Sequence, residues 1–235
     1  MITKTTNDFS DLDFLAGEVI LIDKTKGLTS FSVVHKIRKA VNVKKVGHAG
    51  TLDPEATGLL IICTGKKTKE IYKYQESEKT YTGIISLGKS SASMDAETEF
   101  SEEKSLIGIG SDDIENVRKS FLGNIQQMPP MYSAIKHKGK SLYEYARKGV
   151  EIKRELRDVT VSKFEILKTD LPDIYFEIVC SKGTYIRVIA DDFGKKLGCG
   201  AYLKSLRRTA IGSYKVDDAL EINDFRTIAE KTTAA

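Results

Sequence analysis

Val46–Gly65 reads VGHAGTLDPEATGLLIICTG, and this stretch organises the rest of the chain. Leu59–Cys63 is a short apolar run of Leu and Ile ending in Cys, the pattern of a buried strand. The residues before it are dense in Gly, Thr, Asp and Pro, the composition of a loop. A loop that feeds a strand fixed in a core can hold one polar group in a set position. Asp53 is that group, the only acid between Val46 and Pro54. Gly47, Gly50 and Gly58 allow backbone shapes closed to other residues and let a ligand approach. Pro54 biases Asp53 toward extended backbone, so the carboxylate does not start a helix. An isolated Asp-Pro is most often a surface turn; the wider string separates this one from that class.

GHAGTLDPEATGLL resembles the active-site motif of the TruB family of pseudouridine synthases. The resemblance implies an enzyme that converts uridine to pseudouridine in the T loop of tRNA, at position fifty-five. It makes Asp53 the catalytic aspartate and His48 an RNA-contacting histidine, with Gly50 and Thr51 beside them at the substrate. Three further stretches carry the likeness. KTYTGIISLG, from Lys79, matches a second motif, whose Tyr, here Tyr81, stacks on the target base. GTYIRVIADDFG, from Gly183, matches one in which the Arg pairs with the catalytic Asp and the Tyr sits by the base, hence Arg187 and Tyr185. In AYLKSLRRTAI the Leu before paired arginines lines the pocket, which singles out Leu206. QQMPPMYSAIKHKGKSLYEYARKG, from Gln126, matches the family's insertion that closes over RNA. It implies a mobile lid at about residues 126–157. One segment departs from the family: Ser91–Thr98 keeps Asp95 but lacks one acid and the Gly of the usual pattern.

Composition sets the outer bounds. The chain has 235 residues, 40% hydrophobic and 30% charged, as expected of a soluble globular protein. No apolar run approaches a membrane span, and Met1–Gly17 carries acids without the apolar core of a secretory signal. Cys63, Cys180 and Cys199 are odd in number and widely spaced, which fits core packing in a reducing cytoplasm rather than a disulfide framework or zinc site. Net charge is only +4, but it is unevenly placed. Asp95–Glu115 holds eight acids and one Lys, whereas Ile135–Arg157 holds eight Lys or Arg and three Glu. Lys136, His137 and Lys138 lie in the basic stretch among tyrosines, a mixture suited to phosphate contact and base stacking. Charge runs are usually solvated surface, so the basic stretch does not decide for nucleic acid by itself.

The remaining pattern supplies the frame. Glu18–Asp23 reads as a first strand, and Thr29 or Ser30 caps a helix carrying Val33, Val34, Ile37 and Val41. His35 lies near that apolar stripe and reads as structural. Thr68–Gln75 and a segment capped by Ser111 or Asp112 read as helices, as does one starting at Ser141. Val159–Leu167 and Ile174–Cys180 read as paired strands turning at Leu171-Pro172-Asp173. Thr184 caps a helix with Ile186, Ile189, Ala190, Phe193 and Leu197 inward and Arg187 at the edge of that stripe. Ala201–Ile211 reads as a strand, and Phe225–Ala235 as a frayed helix. The expected fold is therefore α+β, a mixed and mainly antiparallel sheet flanked by helices. The expected organisation is one catalytic domain over 1–235 with the lid inserted and no C-terminal PUA domain.

Nucleotide chemistry is not supported by motif. Gly58–Gly65 encloses six residues where a P-loop has four, Ala134 stands where a P-loop ending at Lys140-Ser141 needs its first Gly, and Asp192-Phe193-Gly194 lacks the other kinase elements. Pseudouridylation needs neither energy input nor redox change, so no cofactor and no metal are expected. The expected partner is the T stem-loop of tRNA, bound by a monomer, with no membrane. Two rival classes use some of the same residues. A tRNA-folding chaperone would need the basic lid but not an Asp–Arg pair in apolar surroundings. A nucleoside hydrolase or glycosidase would usually need a second carboxylate at a set distance, and no second acid has comparable context.

Overall fold

The computed structural model describes residues 1–234. Its elements, in chain order, are β1 (Val19–Lys24), α1 (Ser30–Ala40), β2 (Val46–His48), β3 (Thr57–Thr64), a 3-10 turn (Gly65–Glu70) running into α2 (Ile71–Glu76), β4 (Lys79–Leu87), α3 (Ser111–Lys119) and β5 (Gly123–Gln127). Then come β6 (Lys136–His137), β7 (Lys140–Ser141), α4 (Leu142–Ala146), β8 (Arg157–Asp170), β9 (Asp173–Cys180), α5 (Ile186–Leu197), β10 (Ala201–Ile211), β11 (Tyr214–Lys215), β12 (Leu220–Glu221) and α6 (Ile222–Ala234). The chain forms two compact units, Met1–Thr82 with Leu206–Ala235, and Gly83–Ser205. Parallel and antiparallel pairings occur together, the mixed sheet expected of an α+β chain.

In the first unit β3 is the central strand, buried from Gly58 to Thr64. It is apolar on both sides because both of its faces are covered. Ile20, Ile22, Leu60 and Ile62 pack with Val33, Val34 and Ile37 of α1 and Phe225 of α6. Leu21, Leu59, Ile61 and Cys63 pack with Ala49, Ile211 and Val216. One edge of β3 pairs antiparallel with all of β1, from Val19↔Cys63 to Lys24↔Gly58. Its other edge is shared. The last residues pair antiparallel with β2, His48 opposite Ile62, and the first pair parallel with β10, Arg208 opposite Gly58. The chain that leaves β2 must therefore bulge away from the sheet before it can enter β3, and that bulge is the Asp53 loop.

In the second unit β8 pairs antiparallel with both β9 and β5. Phe164 and Phe176 from this sheet meet Phe121 and Phe193 from the helical side, with Phe121 and Phe193 stacked at 6.1 Å and 13°. Gly194 in α5 is required by close approach, since a Cβ there would lie 2.1 Å from the Ala201 nitrogen.

Several expectations about helix ends change. Thr29 is the N-cap of α1, accepting from the Ser32 N–H, which releases Ser30 for another role. α3 is capped by Gly110, whose N–H donates to Asp113, so neither Ser111 nor Asp112 occupies the cap. Tyr185 rather than Thr184 precedes α5; the Thr184 hydroxyl donates back to the Ser181 carbonyl. Ser141 does cap α4, with Glu144 completing a reciprocal capping box. His35 faces solvent, because the inward stripe of α1 is filled by Val33, Val34 and Ile37. α6 begins at Ile222, and Ile222, Phe225 and Ala229 turn inward, so its first turns are anchored rather than frayed. Ala235 lies outside the described residues.

Candidate active site

Asp53 sits half-buried in the loop between β2 and β3, and the bonds that shape this loop run mainly to its backbone neighbours. Ala49 opens it with an N–H bond to the Ile61 carbonyl at 2.9 Å. On the near side of Asp53, the buried Ser30 hydroxyl accepts from the Leu52 N–H at 2.8 Å and donates to the Leu52 carbonyl at 3.0 Å. On the far side, the Pro54 carbonyl accepts from the Gly27 N–H at 2.8 Å and from Lys24 Nζ at 3.3 Å. Inside the loop the Ala56 N–H donates to the Asp53 carbonyl at 3.1 Å. Leu52 and Ala56 are buried, whereas Thr51, Pro54 and Glu55 are exposed, so the loop is pinned from beneath and open above.

Two buried cations anchor this arrangement, and neither was singled out from the sequence. Lys24, wholly buried at the end of β1, also donates to the Thr25 and Leu28 carbonyls, at 3.1 and 2.8 Å. Burial pushes its ammonium down to about 8, with Asp53 pulling the other way and Arg208 adding to the depression. Arg208, 1% exposed, fills the split on the β3 edge. Its Nε donates to the Leu59 carbonyl at 2.8 Å and its Nη2 to the Gly50 carbonyl at 3.1 Å. Gly58 is glycine because β10 passes directly over it. Its φ is +105°, and a Cβ would meet the Arg208 carbonyl oxygen at 2.2 Å.

His48 is the last residue of β2, half-buried, with a buried Nδ1 that lacks a hydrogen-bond partner in the structure. Burial holds its imidazole below the ordinary histidine value, opposed by a Gly50 backbone bond and reinforced by Arg208. The ring is therefore neutral at pH 7 and presents an uncharged face. Gly50 has φ +110°, and Thr51 beside it is exposed. Tyr81 is buried in β4, and Leu206 is half-buried in β10. Burial does not alternate regularly along β10. Ala201 and Leu203 face inward, Lys204 and Ser205 are exposed, and inward facing resumes at Arg208. Arg207 pairs with Asp23 through two bonds of 3.0 and 2.6 Å.

The second unit carries Arg187, Tyr185, Lys136, His137 and Lys138. Arg187 is 5% exposed, not at the edge of the α5 stripe, and it ties two segments to that helix. Its Nη1 donates to the Ser93 carbonyl at 3.1 Å and lies 3.6 Å from Asp95, and its Nη2 donates to the Tyr132 carbonyl at 2.8 Å. The segment that departs from the family pattern thus retains a defined place through Asp95. Tyr185 is held by the Gln127 amide, which bonds both its N–H and its carbonyl, at 3.0 and 3.2 Å. The 126–157 segment contains a β6–β7 hairpin whose turn residues Lys138 and Gly139 have φ of +48° and +84°. Positive φ at both central positions is the geometry of a tight two-residue hairpin turn. Lys136 and Lys138 are exposed there, and His137 is half-buried against Tyr145. At its base the Tyr143 hydroxyl donates to Glu97 at 2.6 Å, and Arg147 lies over the Tyr143 ring.

The three cysteines are buried, and burial pushes the Cys63 thiol up to about 11, which fits packing rather than nucleophilic use. Among the described residues there is no group of three or more His, Cys, Asp or Glu placed to hold a metal ion. No described helix is long and apolar enough to cross a membrane.

Comparison with known proteins bears directly on this geometry. Residues 38–186 match the profile of the TruB family pseudouridylate synthase N-terminal domain. Residues 187–235 match that of the tRNA pseudouridylate synthase B C-terminal domain. A protein of Chlorobium chlorochromatii (strain CaD3) named tRNA pseudouridine synthase B is 49% identical over 88% of this chain and 84% of its own length. One of the same name from Chloroherpeton thalassium (strain ATCC 35110 / GB-78) is 47% identical over 93% of both. Among solved structures, a chain of a Cbf5-Nop10-Gar1 complex superposes with a TM-score of 0.72 at 30% identity. The match covers 93% of this chain and 56% of that one, so the chain spans little more than half of that protein.

Proposed function

The chain belongs to the TruB family of pseudouridylate synthases, and from that premise we propose that it isomerises uridine to pseudouridine in the T loop of tRNA, at position fifty-five, with Asp53 as its catalytic carboxylate. The observation that carries the reading is the Asp53 loop itself. It is one carboxylate, bracketed at Leu52 and Pro54 by bonds from a rigid strand–helix junction. A reacting group must be held in this way if proximity is to lower a barrier.

The reaction breaks the bond from uracil N1 to ribose C1′ and makes one from C5 to C1′. N1 gains a proton and C5 loses one, so atoms and electrons balance without oxidant, reductant or nucleotide. The target base must first leave its stack, at a cost of a few kcal/mol. His48, neutral and next to a flexible Gly, fills the vacated place, and Gly50 and Thr51 let the backbone come close. Lys136 and Lys138 contact phosphates, with His137 between them. Asp53 acts ionised, and its attraction to Lys24 is mutual. Three routes remain open to the carboxylate: attack on C1′, addition to C6, or removal of the 2′ proton to give a glycal. In each, Tyr81 stacks on the uracil and takes the C5 proton directly or through water, with Leu206 excluding water. That one chain supplies every residue named supports action as a monomer, and a tRNA substrate supports action in the cytoplasm.

The test is tritium release from an unmodified tRNA T stem-loop labelled at C5 of every uridine, with purified protein and no metal or nucleotide. One equivalent is expected from the wild type. None is expected from Asp53→Asn, with RNA binding within about threefold. Turnover by the Asn variant would remove Asp53 from the mechanism. Salt-sensitive binding without release by the wild type would indicate an RNA chaperone instead.

A further inference from the structure

The position of Asp53 depends on a hydroxyl that sequence pattern assigns to helix capping. Ser30 stands at the start of α1, where a Ser is expected to cap. Thr29 takes that duty, and its side chain satisfies the Ser32 N–H. Ser30 is 2% exposed, and its hydroxyl is spent on one residue 22 positions away, donating to the Leu52 carbonyl and accepting from the Leu52 N–H. A single hydroxyl that both donates to and accepts from one residue holds the peptide groups on both sides of its Cα and so fixes that residue's displacement and its rotation. Leu52 is the neighbour of Asp53. Its own side chain is buried, so the backbone there cannot slide without disturbing the core. On the other side of Asp53, Pro54 is tied to Gly27 and Lys24. The junction between β1 and α1, residues 24–30, thus grips the chain on both sides of one carboxylate.

We propose that Ser30 is a positioning residue for Asp53, aiming its carboxylate through the two bonds to Leu52 rather than serving helix α1. The inference rests on the reading of Asp53 as catalytic. Without the hydroxyl, the Leu52 N–H and carbonyl lose a partner in a dry site, and the peptide rotates to recover one. Rotation of the Leu52–Asp53 backbone swings the carboxylate by an ångström or so. A misplacement of that size costs on the order of 100-fold in the chemical step while leaving substrate binding intact.

The experiment compares Ser30→Ala, Ser30→Thr and Val33→Ala in the full chain, with the wild type shown active beforehand. Val33 is on the same helix and fully buried in the core beneath it, so its truncation destabilises α1 and removes neither Ser30–Leu52 bond. Single-turnover tritium release, tRNA affinity, melting temperature and hydrogen exchange of the peptide spanning residues 50–56 are measured together. Ser30→Ala is expected to slow release about 100-fold with affinity within twofold, and to speed exchange of the Leu52 amide. Ser30→Thr, which keeps the hydroxyl, recovers at least tenfold of that loss. Val33→Ala lowers the melting temperature by at least as much and leaves release within threefold of wild type. The proposal is overturned if Ser30→Ala stays within threefold of wild type, if exchange over 50–56 is unchanged, or if Val33→Ala slows release as far as Ser30→Ala does. A wild type that releases no tritium overturns the functional reading, and the exchange result then judges the clamp alone.

Discussion

Lys24→Met should remove a rise in stability with pH that the wild-type protein shows above neutrality. The ammonium is wholly buried among the carbonyls of Thr25, Leu28 and Pro54, and its pKa is brought from the ordinary 10.5 to about 8. Burial is the main cause. Of the charges that face it, Arg208 adds to the depression while Asp53 and Glu55 oppose it. A depression of this size sets about 3 kcal/mol against the charged form in the folded state. The sign follows from proton counting. Between pH 8 and 10.5 the unfolded chain keeps the proton and the folded chain releases it, so the unfolded state binds more protons and stability climbs with pH. The climb from pH 7 to pH 9 amounts to about 1.3 kcal/mol for this one group. Urea unfolding of both proteins at the two pH values isolates it, because every other titrating group cancels in the difference. Methionine fills a similar volume and does not titrate. The wild type should gain about 1.3 kcal/mol more than the variant between the two pH values. Equal gains, or a larger gain in the variant, would refute the argument that Lys24 is held charged against its burial.

Gly58→Ala places a Cβ 2.2 Å from the Arg208 carbonyl oxygen at φ +105°. It should cost about 3 kcal/mol or more in urea unfolding, whereas Gly139→Ala, at φ +84° with nothing within 4 Å, should cost about 1 kcal/mol. Similar costs at both sites would show that close approach by β10 is not what requires Gly58. Replacing the exposed β6–β7 hairpin residues Lys136, Lys138 and Lys140 together by Gln should make the dependence of log K for tRNA on log salt shallower by about 2. The rate at saturating tRNA should stay within threefold. An unchanged salt slope would place the phosphate contacts elsewhere.

The strands and the long helices were legible because each carries a period that its burial enforces. β3 reads as a continuous apolar run since both of its faces are covered, and β9 alternates since only one face is. Asp53 was legible through local spacing and through resemblance of the surrounding string. What stayed hidden depends on residues far apart in sequence. Ser30 and Leu52 are 22 positions apart, Lys24 and Pro54 are 30, and Arg208 and Gly50 are 158. Local pattern assigns Ser30 to a cap and gives Lys24 no role at the end of a strand. Arg187 was misplaced for a related reason. Helical periodicity ranks an Arg beside a stripe as edge, but the carbonyls of Ser93 and Tyr132 and the Asp95 carboxylate draw it inward. Polar burial follows partners, and partners are set by topology.

The same topology decides which substitutions give clean answers. Ser30, Lys24, Gly27 and Arg208 reach the loop through backbone groups of Leu52, Pro54 and Gly50. Those groups belong to the peptide chain and survive any change in the Asp53 side chain. Asp53→Asn therefore alters charge at a site whose frame is held from elsewhere, and its effect reports on the carboxylate. Ser30→Ala does the reverse, keeping the carboxylate and releasing its frame. If both abolish pseudouridine formation, they differ in the chemical remedy. A longer acid, as in Ser30→Ala combined with Asp53→Glu, can reach the reacting atom once the frame is loose, whereas no frame restores a charge that Asn lacks. Activity that rises when Asp53→Glu is added to Ser30→Ala, but falls when it is added to the wild type, would be a coupling between the two residues that a general loss of stability does not produce.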